Sequence, residues 1–399
     1  MVVYTNVWCL SDYYGGNMLE RCQFAVHLVK PGDYVICYPY PEFVEFVNYY
    51  CREYKLDPKQ IIWTTGKNSS LHTDIRDYNI DTIINIIKKH SHVCFIPTMV
   101  DKEFLEWYQL IRVSIQKNQS IKYCGDGLEW MALWGRKSIL HPRWSEESKG
   151  DTQSLSALRK VLPSSREILP DGYICYSRSD VYQIWDKWNN KNSHKTVRLV
   201  LKDIDSCGGM GIQFINSRTD IKDALVEGEF LVERNLQDLH QKLLFFAITF
   251  EGQIINGDPF LQVFNGDTFY SGSHSFDHPT FPEIKQWTHK ILEAIRPQGR
   301  GGFDFCVGDD SHIYLLDVNT ARFNGSHYAQ ECIRDRLETK CYFYQYRVPM
   351  KKSHKFKDVV KLIENHKYVR IMNFHPHRMQ LLICADNWKN LMDRKKHLD

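Results

Sequence analysis

Three oxygen-bearing side chains, Asp304, Asp317 and Asn319, have the types and spacing to hold a divalent cation. They lie in GGFDFCVGDDSHIYLLDVNTARFNGS, residues 301–326, where apolar and polar residues alternate on either side of Gly308-Asp309-Asp310-Ser311. That alternation and turn chemistry predict a hairpin of strands Phe303–Val307 and Ile313–Val318. Pairing Val307 with His312 sets Asp304 opposite Leu315, and Asp317 and Asn319 follow on the same face by steps of two. The three side chains then stand at diagonal cross-strand distance, about 7–8 Å between backbones. Hard oxygen ligands suit Mg²⁺, which takes one or two carboxylates and completes its shell with water and phosphate. Taken alone, the pattern fits equally a hairpin with solvated acids on its open face. A one-residue change in pairing would also turn the two aspartates to opposite faces.

A second group lies in VRLVLKDIDSCGGMGIQF, residues 197–214. A strand Val197–Lys202 ends in lysine, a loop carries Ser206, Gly208, Gly209 and Gly211, and a strand Gly211–Ile215 follows at once. Glycines let backbone amides wrap an anion, and the lysine beside them supplies charge. The missing GK[ST], and the missing helix after the glycines, argue against a P-loop. An ordinary hairpin turn is the alternative. A third group is EFLVERNL, residues 229–236, a strand with Glu233 at its exit that can present backbone groups to an adenine edge. Strands ending in Glu-Arg are common, so the segment says little by itself.

The order of these three groups closely resembles the ATP-grasp superfamily, over roughly residues 155–335. The resemblance implies that Lys202 and the loop Ser206–Gly211 cover nucleotide phosphates, and that Glu233, Arg234 and Leu236 form the adenine hinge. It further implies that Asp238 binds ribose, that Asp304, Asp317 and Asn319 hold Mg²⁺ (Mn²⁺ an admissible substitute), and that an upstream ATP lysine falls on Lys160, with Lys137 the second choice. The family's metal motif has arginine two residues after asparagine, whereas Asp317-Val318-Asn319-Thr320-Ala321-Arg322 is one residue longer. Arg322 and Arg300 are therefore both candidates, with Lys202, to steady a transferring phosphoryl group. The nearest subgroup suggested is the pheganomycin-type peptide ligases. The expected activity is an ATP- and Mg²⁺-dependent carboxylate–amine ligase acting through an acyl-phosphate on small carboxylate and amine substrates such as amino acids or peptides. An ATP-grasp kinase and a non-catalytic ATP-binding regulatory protein are the alternatives.

The elements that must position these residues follow from periodicity. Strand-like Val2–Cys9, Tyr34–Tyr38, Ile61–Thr64 and Val93–Ile96 alternate with helical Asn17–Val29, Glu42–Tyr54, Ile80–His90 and Glu103–Val113, which predicts a parallel sheet covered by helices. The expected class is α/β and α+β. An N-terminal pre-ATP-grasp domain, residues 1–125, with a ligand-side loop at Asp12–Asn17, precedes a two-lobed ATP-grasp domain, residues 126–345. The latter divides into a connector (126–170), a nucleotide lobe (171–235) with a short helix Ile221–Glu227, and a metal lobe (236–345). An extension, residues 346–399, is expected to pack on the ATP-grasp domain. Across 399 residues the net charge is only +3, too small to argue for nucleic acid or a membrane surface. Twelve cysteines are scattered without a CxxC pair, and the start lacks a secretion signal, which predicts reduced thiols in the cytoplasm. The sequence leaves room for a homodimer.

Overall fold

Parallel pairing of short apolar strands organises the N-terminal part, in a computed structural model that describes residues 2–5, 25–37, 41–64, 80–87, 93–97, 128–130, 161–190, 196–203, 211–224, 230–265, 269–297, 300–319, 342–350, 355–375 and 378–396, with single positions at 39, 89, 110, 111, 113, 158, 226, 329, 332 and 333. Strands β1 (Val2–Thr5), β2 (Tyr34–Cys37), β3 (Ile61–Trp63), β4 (Val93–Pro97) and β5 (Leu128–Trp130) lie in the order β3-β2-β1-β4-β5, all parallel. Helices α1 (Pro41–Glu53) and α2 (Ile80–Ile87) fall between strands, as crossovers of parallel strands must. β5 was not anticipated: it pairs Leu128 with Val93, so the sheet runs past residue 125 into the expected connector. Three residues are too few to display a period. Most of the expected helix Glu103–Val113 lies outside the described residues.

The chain divides into one unit of Met1–Gly135, Gln298–Gly301 and Ala321–Asp399 and a second of Arg136–Pro297 and Gly302–Thr320. In the second unit, β6 (Gly172–Cys175), β7 (Leu199–Asp203), β8 (Ile212–Ile215) and β9 (Phe230–Arg234) form an antiparallel sheet in the order β6-β9-β7-β8. Helix α3 (Arg178–Trp188) starts at a capping box in which Ser177 Oγ accepts from Asp180 N and the Asp180 carboxylate accepts from Ser177 N. Its Val181, Ile184 and Trp185 pack on Leu199, Leu201, Phe230 and Val232, one face of the sheet. Alternation therefore turns Lys202, Leu231 and Glu233 to the other face. The expected helix at Ile221–Glu227 reduces, among the described residues, to a single turn at Asp220–Lys222.

A second antiparallel sheet follows: β10 (Leu243–Glu251), β11 (Ile254–Ile255), β12 (Phe260–Asn265), β13 (Phe269–Ser275), β14 (Arg300–Gly308) and β15 (Ile313–Asn319), in the order β15-β14-β10-β12-β13 with β11 on β10. Helix α4 (Phe281–Ile295) covers it, joining Ile284, Trp287 and Ile291 to Phe246, Phe250, Phe303, Phe305 and Leu315 in one core that also includes Leu231. β12 and β13 lie where the sequence reading places no strand; in β13, Ser271-Gly272-Ser273-His274 carries no apolar alternation to signal one.

The C-terminal segment holds β16 (Tyr342–Pro349), α5 (Phe356–Ile363), β17 (Val369–His375), β18 (Arg378–Ala385) and α6 (Trp388–Lys396), with β18 antiparallel to both β16 and β17. It falls in the same compact unit as the N-terminal domain. The reason is an aromatic seam: Phe356 sets its ring 5.6 Å from Phe46 and 5.7 Å from Tyr49, both on α1, and 5.3 Å from Phe374. Where β17 shifts register, Ile371 N donates to the Tyr50 hydroxyl at 2.7 Å, and burial pushes that phenol's pKa well up. Among the described residues no helix is long and apolar enough to cross a membrane.

Candidate functional site

The hairpin β14–β15 differs from its expected pairing at two points, and together they bring the acids closer. Val307 pairs with Ile313, one residue beyond the expected His312. Continued evenly, that ladder would set Asp304 opposite Leu316 and turn Asp317 to the other face. Instead the register shifts by one between Asp304 and Phe305, so Asp304 lies directly opposite Asp317 and Gly302 opposite Asn319. Leu316 is the additional residue of this bulge, a device that re-aims side chains next to sites. Directly opposed residues have Cβ atoms about 4.5–5.5 Å apart, close enough for both carboxylates to ligate one cation.

Backbone groups of β15 around the bulge find partners in other elements. Leu315 N donates to Ile168 O at 2.7 Å, and Leu316 O accepts from Lys202 Nζ at 3.3 Å. The acids are held as well as aimed: Asp304 accepts from Asn319 Nδ2 at 2.9 Å and from Gln262 Nε2 at 3.0 Å, and Asp317 accepts from Val318 N at 2.9 Å. Gln262 sits on β12, an unread strand; its only signal was a glutamine inside the apolar run Phe260–Phe264. On the expectation that Asp304 holds a cation, Gln262→Leu should weaken Mn²⁺ binding about tenfold or more, because it removes a bond that orients this carboxylate. Electron paramagnetic resonance of the bound ion would measure this, and unchanged affinity would remove Gln262 from the site.

Lys202 lies diagonally across the ladder from Glu233, its Nζ 2.6 Å from Glu233 Oε2. The Glu233 side chain is only 3% exposed. Its other oxygen, with Arg234 Nε and Asn235 Nδ2, is buried and has no hydrogen-bond partner among the described residues. A buried unpaired polar group costs about 1–3 kcal/mol, so three on consecutive residues mark a place for a polar ligand to complete. Cys306, beside Lys202, has its thiol pushed up to about 12 by burial, with the lysine opposing. The oxygen-only set of Asp304, Asp317 and Asn319 and the unpaired atoms at the end of β9 fit Mg²⁺ and a nucleotide respectively.

Other expected residues are placed as follows. Leu236 begins a 3-10 turn, Leu236–Asp238, and Gly211 immediately precedes β8. Asp238 accepts from Arg198 N at 2.6 Å and Arg198 Nε at 2.7 Å and is 4% exposed. The structure thus makes it a clamp between β7 and the turn after β9, a role with no local signal in the sequence. Arg300 is the first residue of β14. Lys137, Lys160, Ser206, Gly208, Gly209, Arg322 and the loop Asp12–Asn17 lie outside the described residues.

No family model and no curated protein matches the chain. Solved structures do. N5-carboxyaminoimidazole synthetase from Staphylococcus aureus aligns with all of this chain and 95% of its own, at 11% identity and TM-score 0.55. The Aspergillus clavatus N5-carboxyaminoimidazole synthase, solved with ADP and 5-aminoimidazole ribonucleotide, covers 98% of this chain and 96% of its own, at 11% identity and TM-score 0.58. Biotin carboxylase from Campylobacter jejuni, in an ATP-analogue complex, covers 99% and 90%, at 12% identity and TM-score 0.60. Likeness at such identity concerns architecture: the chain has the ATP-grasp fold, carried behind an N-terminal α/β domain.

Proposed function

We propose that this protein is an ATP-dependent, ADP-forming ligase that activates a small carboxylate as its acyl-phosphate and joins it to an amine. The observation that carries the reading is the bulged hairpin, which opposes Asp304 and Asp317 while offering Leu316 O to Lys202 from the facing sheet. In this reading a substrate carboxylate oxygen attacks the γ-phosphorus of ATP and ADP leaves. The amine nitrogen then attacks the acyl carbon, phosphate departs, and the nitrogen loses a proton to give the amide. Mg²⁺, when bound, supplies neutralising charge for the phosphates. Asp304, Asp317 and Asn319 hold it, and Lys202 leaves Glu233 to meet the phosphates. The segment from Glu233 to Leu236 faces the base, the glycine loop up to Gly211 closes over the phosphates, and Arg300 and Arg322 steady the transferring group. Amino acids and short peptides are the proposed substrates; the ADP-bound synthase and biotin carboxylase relatives support the nucleotide half of the reading.

Incubation with ATP, Mg²⁺ and pooled amino acids and dipeptides, with bicarbonate in a parallel arm, tests the proposal. ADP release accompanied by a condensed product, resolved by mass, is the expected result. A stable phosphorylated product would make the protein a kinase, and nucleotide binding without turnover a regulatory module; either outcome overturns the ligase.

A further inference from the structure

We propose that His240 is a positioning residue for the cation hairpin, gripping both of its arms at the turn and so selecting the register that opposes Asp304 to Asp317. The inference rests on reading that hairpin as the Mg²⁺ site. His240 follows the turn Leu236–Asp238, with His240 N donating to Leu236 O at 3.1 Å. Its imidazole is 4% exposed. Nδ1 lies 3.0 Å from Asp309 Oδ1, just beyond the end of β14, and Nε2 lies 2.9 Å from the Tyr314 hydroxyl on β15. Gln241 N donates to the second Asp309 oxygen at 3.1 Å, and these bonds, His240 first, hold the Asp309 carboxyl below its usual range. The turn fits the ring without slack, since a Cβ on Gly308 would come within 2.5 Å of the imidazole.

This grip bears on the register in a specific way. A strand that slips by one residue turns every side chain to its other face. A slip of β15 would carry Tyr314 away from Nε2, so the clasp is complete only in the observed pairing of Val307 with Ile313. The bulge then has only one residue to absorb before Asp304 meets Asp317. From Gly308 to Asp304 is about 13 Å at roughly 3.3 Å per residue, so His240 touches neither cation nor phosphate and acts through the strands. Asp310 also approaches, at 3.6 Å from Nδ1. Both ring nitrogens are already engaged, however, which favours a clasp over a second metal site.

The test compares His240→Ala, Tyr314→Phe and, as a control outside the clasp, Lys242→Ala. Two quantities are read: amide exchange across residues 313–319 in the free protein, and ADP affinity with and without Mn²⁺. The expected result is faster exchange in 313–319 with β6–β9 unchanged, and an Mn²⁺-dependent gain in ADP affinity reduced about tenfold in His240→Ala. Tyr314→Phe should show a smaller effect of the same pattern, Lys242→Ala none, and metal-free ADP binding should stay as in wild type. Wild-type exchange in 313–319, or equal loss of metal-free and metal-dependent binding, overturns the proposal. Should His240→Ala not fold, Tyr314→Phe is judged by the same two readouts. If wild type itself binds ADP without any response to Mn²⁺, the Mg²⁺ reading fails instead, while amide exchange still decides the clasp.

Discussion

Asp317→Asn is expected to lower ATP turnover by at least about 100-fold without lowering the melting temperature. The substitution keeps the side chain's shape and an oxygen that can still accept from Val318 N. What it removes is one negative charge facing Asp304 across the ladder. Like charges directly opposed on a sheet destabilise it. Relief of that repulsion offsets what the asparagine loses, so stability should hold or rise while turnover collapses. The opposed signs discriminate: an acid retained for folding would cost stability and activity together. Coupled ADP release and thermal melting in chelator measure the two quantities. Turnover near wild type would remove Asp317 from the cation site.

How much of this was legible in the sequence depends on whether a signal was local. Parallel strands separated by helices announce themselves by periodicity, and the N-terminal sheet follows that reading up to β4. Lys202 and Glu233 were readable as strand-end residues, although nothing local said that they pair with each other. The hairpin was readable as a hairpin, but its register was not. A bulge leaves the alternation of each strand nearly intact and changes only which residues face each other. Placing Asp304 opposite Asp317 takes the clasp at the turn and the partners of Leu315 and Leu316, which come from residues far away in the chain. Gln262, His240 and Arg198 were missed for the same reason. Each is an ordinary polar residue until a distant element brings it a carboxylate. The contact of the C-terminal segment with the aromatic face of α1 has no local signal either, because Tyr50 and Ile371 are separated by 321 positions.

The Lys202–Glu233 pair makes the second large prediction, because it ties the stability of the small sheet to the nucleotide site. Lys202→Met strands a carboxylate that is 3% exposed. Removing one partner of a buried ion pair costs about 3–5 kcal/mol, and the lower end applies here because the Lys202 side chain is still 21% exposed. Glu233→Gln should cost less, about 1 kcal/mol, since Lys202 retains Leu316 O and solvent. The double variant leaves no stranded charge, so it should be more stable than Lys202→Met alone, with a coupling of about 2 kcal/mol. Nucleotide affinity should follow a different pattern. Both variants lacking Lys202 should bind ATP weakly whatever their stability, because the phosphates lose their ammonium partner, whereas Glu233→Gln keeps it. Urea unfolding and ADP or ATP titration on the three variants measure the two series. Recovery of ATP binding along with stability in the double variant would show that Lys202 braces the sheet and does not meet the phosphates. Recovery of stability alone separates the two duties of this lysine: neutralising Glu233 in the free protein, and leaving it when a nucleotide arrives.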